Sequence, residues 1–223
     1  MPRSWSKGLT KETDKRVANV RQEPVAWSPA TAYAVGLAAT DGCLIERKST
    51  INFKSCDRDL VQIFLGCVGL PNRRIYSVSG KKRITYWAQF GDSELYRWFL
   101  SAGLTPRKSL TLGALAVPVT YLPHCVRGLL DGDGSLDCYV HHPIVKVDPT
   151  YSYQRLGVRF RSASRTHCEW LQDLLAGEVR ITGTLLRDEC EPPRHDMHIL
   201  QYGKHASIQL LSWLYEGSEQ IRL

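Results

Sequence analysis

Two aspartates, Asp41 and Asp133, close two copies of one short pattern. Ala34-Val35-Gly36-Leu37-Ala38-Ala39-Thr40-Asp41-Gly42 and Val126-Arg127-Gly128-Leu129-Leu130-Asp131-Gly132-Asp133-Gly134 share Gly-Leu-x-x-x-Asp-Gly. Apolar residues at helical spacing place each copy on a helix, with its acid at the C-terminal end. There a carboxylate meets the negative end of the macrodipole, an unfavourable position for an anion. Two such carboxylates brought together repel, which raises a pKa or calls for a cation. Magnesium, or another divalent ion such as manganese, suits oxygen ligands and keeps positions open for water and phosphate. Paired acids holding metal beneath a phosphate backbone are the arrangement of metal-assisted phosphodiester hydrolysis. Asp131 is the competing acid, but two residues earlier it faces another side of the helix and reads as a solvated charge or cap partner.

The elements around these acids must bring them together. Glycine inside a helix costs roughly 1 kcal/mol relative to alanine, so Gly36, Gly128 and Gly132 call for a reason, and close approach of two helix backbones is the usual one. A seam of Gly36, Ala39, Gly128 and Gly132 would set Asp41 beside Asp133. The first motif helix starts at Ser28-Pro29, a cap followed by a first-turn proline, and the second opens at Pro123 and closes at Gly134. Hairpins are expected over 44–54, 74–89 and 136–162, and a further strand pair over 180–187 and 195–201. Helices are expected after Asp57 and Asp92, over 166–176, and around Ile208, Leu211 and Leu214.

The order helix, hairpin, helix, hairpin, helix therefore occurs twice. Gly36 maps onto Gly128, Phe53-Lys54-Ser55 onto Phe160-Arg161-Ser162, and Gln89-Phe90-Gly91 onto Gln201-Tyr202-Gly203. The spacing grows along the chain, so the second copy carries an insertion in its first hairpin, around His141 to Tyr153.

Strand alternation supplies a basic face. Leu156, Val158 and Phe160 share one side of their strand, and Arg155, Arg159 and Arg161 the other. Asn52 and Lys54 take the matching face of the first copy, with Arg83, Thr85, Trp87 and Gln89, then Arg180 and Thr182, on later strands. Such sheets can lie along DNA, reading base edges and clamping phosphates; the plain alternative is a solvated face.

The two motifs, their spacing and the order of elements resemble the LAGLIDADG homing endonucleases, in the single-chain form with two fused repeats. The resemblance covers residues from about 28 to 223 and implies an α+β fold of two pseudo-symmetric αββαββα halves packed through their motif helices. It also implies saddle-shaped antiparallel sheets facing double-stranded DNA and cleavage of both strands of a long asymmetric site. By the same resemblance Asp41 and Asp133 bind the metal ions, Lys54 and Arg161 take the basic position on the strand, and Lys108 stabilises the scissile phosphate or positions water. The rival expectation is a binder on the same scaffold that does not cut, an RNA maturase or a DNA-binding regulator.

Composition fits this class. The chain has 223 residues, 43% hydrophobic and 23% charged, with a net charge of +7 and a pI of about 9.1, which favours a polyanionic partner. Residues 28–115 and 116–223 divide as the two halves, within one monomeric chain. The N-terminal segment 1–27 is basic, and its Gly8-Leu9-Thr10-Lys11-Glu12-Thr13-Asp14 run resembles small DNA-binding modules found beside nuclease domains. No stretch has the length of a membrane span, and the expected setting is intracellular, whether a bacterial cytoplasm or nucleoid or an organelle. The seven scattered cysteines fit a reducing compartment. Cys138 with His141 and His142, or Cys190 with His195 and His198, has irregular spacing for zinc.

Overall fold

The two motif segments form helices that lie against each other at the centre of the molecule, in a computed structural model that describes residues 24–47, 49–80, 83–141 and 152–216. The N-terminal segment through residue 23 and the insertion residues 142–151 lie outside the described residues. In chain order the first half comprises α1 (Pro29–Thr40), β1 (Gly42–Ile45), β2 (Thr50–Ser55), α2 (Arg58–Cys67), β3 (Tyr76–Ser79), β4 (Ile84–Gly91) and α3 (Ser93–Ser101). The second comprises α4 (Leu122–Asp133), β5 (Ser135–His141), β6 (Tyr153–Ser162), α5 (Arg165–Glu178), β7 (Thr184–Asp188), β8 (Met197–Tyr202) and α6 (Lys204–Tyr215).

Each half carries a four-stranded antiparallel sheet, in the orders β1-β2-β4-β3 and β5-β6-β8-β7. The registers agree residue by residue with the sequence repeat. Cys43, Asn52 and Gln89 form one cross-strand row, and Ser135, Arg159 and Gln201 form its counterpart.

Local chemistry sets the helix starts. The Ser28 side chain accepts from the Thr31 N–H at 3.1 Å, and the Thr31 side chain accepts from the Ser28 N–H at 2.8 Å, a reciprocal cap. Asp57 caps α2, Asp92 caps α3 and Ser164 caps α5. One face of each sheet is covered. Phe53 stacks on Phe64 with centroids 4.3 Å apart, beside Val61 and Leu65 of α2 and Leu95 and Phe99 of α3. In the second half Val158 and Phe160 meet the apolar side chains of α5 and α6, and one continuous core joins both halves. The link between halves is pinned too: Ser164 donates to the Leu112 carbonyl at 2.6 Å, and a His167 ring nitrogen lies 2.8 Å from the Gly113 carbonyl.

One strand starts later than the alternation of residues implies. Helix α5 runs to Glu178 and is followed by Arg180 in the left-handed region, at φ 58°. A left-handed residue there turns the chain out of the helix. Ile181 then turns into the core, so β7 begins at Thr184, and Arg180 and Thr182 lie in the preceding loop rather than on the sheet. Among the described residues no helix is long and apolar enough to cross a membrane.

Candidate functional site

The site is built from the seam outward. A Cβ placed on Gly36 would fall on the Cys125 carbonyl oxygen, 2.8 Å from the Leu129 nitrogen and 2.9 Å from the Gly128 Cα. A Cβ on Gly128 would meet the Tyr33 carbonyl oxygen, with the Leu37 nitrogen at 2.9 Å and the Gly36 Cα at 3.0 Å. The two glycines therefore let backbone touch backbone. Gly132 makes a different contact, against the side chain of Thr40, whose Cβ would lie 2.7 Å from an added methyl.

At the end of this seam Asp41 caps α1 and Asp133 is the last residue of α4. Burial, and then the charge of Asp133, push the Asp41 carboxyl up to about 6, with Lys108 opposing. Burial also raises Asp133, against the charges of Lys108 and Arg161. Both acids thus sit where a cation would relieve them, since each is partly desolvated and the charge of Asp133 adds to the strain on Asp41. Among the described residues no three His, Cys, Asp or Glu side chains gather into a metal cluster, so water and phosphate would complete any ion held by these two.

Lys108 is only 7% exposed, and its Nζ donates to the carbonyls of Gly42 at 2.7 Å and Thr40 at 3.3 Å. It clasps the backbone on either side of Asp41. An ammonium has three donors, so one remains beyond those two. Arg107, at φ 55°, makes the left-handed turn that delivers Lys108 to this place. Burial lowers the Lys108 pKa, while Cys43, Asp133 and Asp41 hold it up.

Each acid has a basic neighbour from its own half. Asp41 lines a cleft of about 350 Å³ with Lys54, Ser55, Cys56, Arg83, Thr85 and Gly132. Asp133 lines a smaller cavity with Arg161 and Ser162. Lys54 and Arg161 occupy corresponding strand positions, so the pair of clefts repeats the internal symmetry. Arg161 also bonds Asp188 at 2.9 Å, both side chains about half exposed.

The open sheet faces carry the other sequence candidates. Asn52 is buried and donates from Nδ2 to Gln89 Oε1 at 3.1 Å, while Gln89 is exposed. Arg155 and Arg159 line a cleft of about 480 Å³ with Asp137, Thr184 and Gln201. Arg180 and Thr182, displaced to their loop, line none of these three clefts.

Sequence reasoning missed a polar bridge across the seam. Tyr33 on α1 donates its hydroxyl to Asp131 Oδ2 on α4 at 2.7 Å, so Asp131, though exposed, also ties one motif helix to the other. Beside it Arg127 is 2% exposed, its guanidinium 4.9 Å from the Tyr33 ring centre and 5.8 Å from that of Tyr215. The signal was available in the repeat itself: Val35 and Ala39 stand where the second copy has Arg127 and Asp131.

No protein-family model matches this chain, and no curated protein matches it. Solved structures do. Full-length WhiA from Thermatoga maritima superposes with a TM-score of 0.52 at 13% identity, over 90% of this chain and 59% of that one, so the chain spans little more than half of full-length WhiA. The N-terminal LAGLIDADG domain of WhiA gives 0.51 at 14% identity, over 88% of this chain and 85% of that domain. Meganuclease I-SmaMI bound to uncleaveable DNA gives 0.54 at 13% identity, over 87% and 86% of the respective chains. Variants of the homing endonuclease I-DmoI give 0.53 at 14%, over 84% and 96%. At these identities the likeness establishes the fold, an α+β LAGLIDADG-like pair of repeats with two four-stranded sheets and six helices.

Proposed function

We propose that this chain binds double-stranded DNA across its two sheets and, as a monomer, cuts both strands of a long asymmetric site by metal-assisted phosphodiester hydrolysis. The observation that carries this reading is the pair of partly desolvated acids at the end of the glycine seam, each raised from its ordinary value and each with a basic side chain from its own half in the same cavity. The similar fold solved on uncleaveable DNA supports it.

Asp41 and Asp133 would hold magnesium or manganese, which when bound supplies positive charge at the scissile phosphate and makes water more acidic. The chain's own residues do the rest. Lys108 fixes the carbonyls flanking Asp41 and so holds that carboxylate in place. Lys54 and Arg161 offset charge as it develops on the phosphate. Arg83, Thr85, Gln89, Arg155 and Arg159 meet the duplex from the sheets, and Arg180 and Thr182 meet its backbone from their loop. A second reading, a duplex binder that does not cut, draws on the commitment of Lys108 and Arg161 to groups within the protein.

Selection from a randomised duplex library in magnesium, with sequencing of both retained and cleaved molecules, separates the two. The endonuclease yields one consensus in both pools. Retention without cleavage in magnesium or manganese establishes the binder.

A further inference from the structure

The two sheets use different chemistry at the row the repeat makes equivalent. In the first, Asn52 and Gln89 are cross-strand neighbours, and Asn52 Nδ2 holds Gln89 Oε1 at 3.1 Å. Asn52 is 6% exposed and so acts through Gln89, which is exposed. In the second sheet Arg159 replaces Asn52 and pairs in register with Gln201, which pairs in turn with Thr184. Here an acid does the holding: Asp137 Oδ2 lies 2.6 Å from Arg159 Nη2. Asp137 pairs directly with Gly157, which has no side chain, and this leaves it free to lean along the strand to Arg159. Asp137, Arg159, Thr184 and Gln201 line one open cleft on that sheet.

Each arrangement fixes a side chain whose hydrogen-bonding pattern matches one base. An amide held by its oxygen still offers an acceptor lone pair and N–H donors, the complement of adenine N6 and N7. A guanidinium held at one nitrogen keeps further donors of its planar fork, the complement of guanine O6 and N7. Free lysines and arginines on a sheet face clamp phosphate regardless of sequence, whereas a planar group fixed in orientation discriminates bases.

We propose that Asn52 and Asp137 are positioning residues, one per half, that aim Gln89 at an adenine and Arg159 at a guanine. The target then carries different base pairs at two positions that a symmetric protein would read alike. This rests on the duplex-binding reading above and specifies what each half recognises.

The test is selection of bound duplexes from a randomised library by the full chain, without divalent ions so that nothing is cut. The native protein should return a consensus with guanine in one half-site and adenine in the other. Asp137→Asn should reduce the guanine preference on the order of 10-fold or more while retention of duplex of any sequence rises, because a negative charge leaves the face. Asp137→Glu should restore the preference, and Gln89→Ala should remove the adenine preference alone. An unchanged consensus in Asp137→Asn, with only a steeper dependence on salt, would show that Arg159 meets phosphate and would overturn the inference. A native chain that retains no duplex overturns the binding reading and this inference with it.

Discussion

The same substitution, glycine to alanine, should have opposite signs at two helical positions. At Gly66 in α2 an added methyl meets nothing within 4 Å. Only the chain-entropy and propensity gain remains, so Gly66→Ala should stabilise by about 0.5–1 kcal/mol. At Gly36 the methyl falls on the Cys125 carbonyl and lies 2.8 Å from the Leu129 nitrogen, inside van der Waals contact with backbone on the partner helix. No side chain can swing away there, so α1 and α4 must separate along the whole seam. Overpacking costs about 1–3 kcal/mol, and contact with rigid backbone belongs at the upper end. After the propensity gain of roughly 1 kcal/mol, the net loss is about 2 kcal/mol. For a chain of this size each kcal/mol moves Tm by about 2–4 °C, so Gly36→Ala should melt about 4–8 °C lower and Gly66→Ala about 2 °C higher. Thermal melts of metal-free protein at pH 7 measure both. A Gly36→Ala protein that melts at or above the native temperature refutes the backbone seam.

Three further perturbations follow from the site. The Asp41 carboxyl titrates at about 6, above its ordinary 3.8, so its contribution favours the folded state below the ordinary value and is lost as pH rises through 6. Asp41→Asn should therefore stabilise the fold at pH 8 by roughly 1 kcal/mol after screening of a partly exposed group, a Tm about 2–4 °C higher, with the gap closing towards pH 4; a gap that widens in acid contradicts the assignment. Lys108→Met strips the donor from the Gly42 and Thr40 carbonyls and should cost about 1–3 kcal/mol in a denaturant titration. It should also move the Asp41 titration further up, visible in carboxyl-carbon NMR, because Lys108 is the charge that lowers it. Tyr33→Phe removes the 2.7 Å bond to Asp131 and should cost about 1–2 kcal/mol by the same titration; no loss would mean that Asp131 finds an equal partner in water.

The repeat was legible because its determinants are local. Ser28, Asp57 and Asp92 cap helices by side-chain bonds within four residues, and strand alternation sorted Val158 and Phe160 from Arg159 and Arg161. The glycine spacing announced the seam because Gly36 and Gly128 recur at the same place in both motif helices, and close approach of two backbones is the usual reason for a glycine there. What was hidden depends on contacts between distant segments. Nothing near Lys108 in sequence shows that it reaches back to Thr40 and Gly42, and a left-handed residue such as Arg180 has no composition signal when it is not glycine. The Asp137–Arg159 and Arg161–Asp188 pairs cross between strands, so the arginine stripe looked uniform when its members are held differently.

Cleavage of one selected duplex, followed on each strand in magnesium, tests most directly whether Asp41 and Asp133 form a working centre. The native chain should cut both strands. Asp41→Asn and Asp133→Asn should each bind the same duplex and lose cleavage on the order of 10²–10³-fold. A native chain that binds its selected duplex and cuts neither strand in magnesium or manganese, or two variants that cut at the native rate, would contradict it.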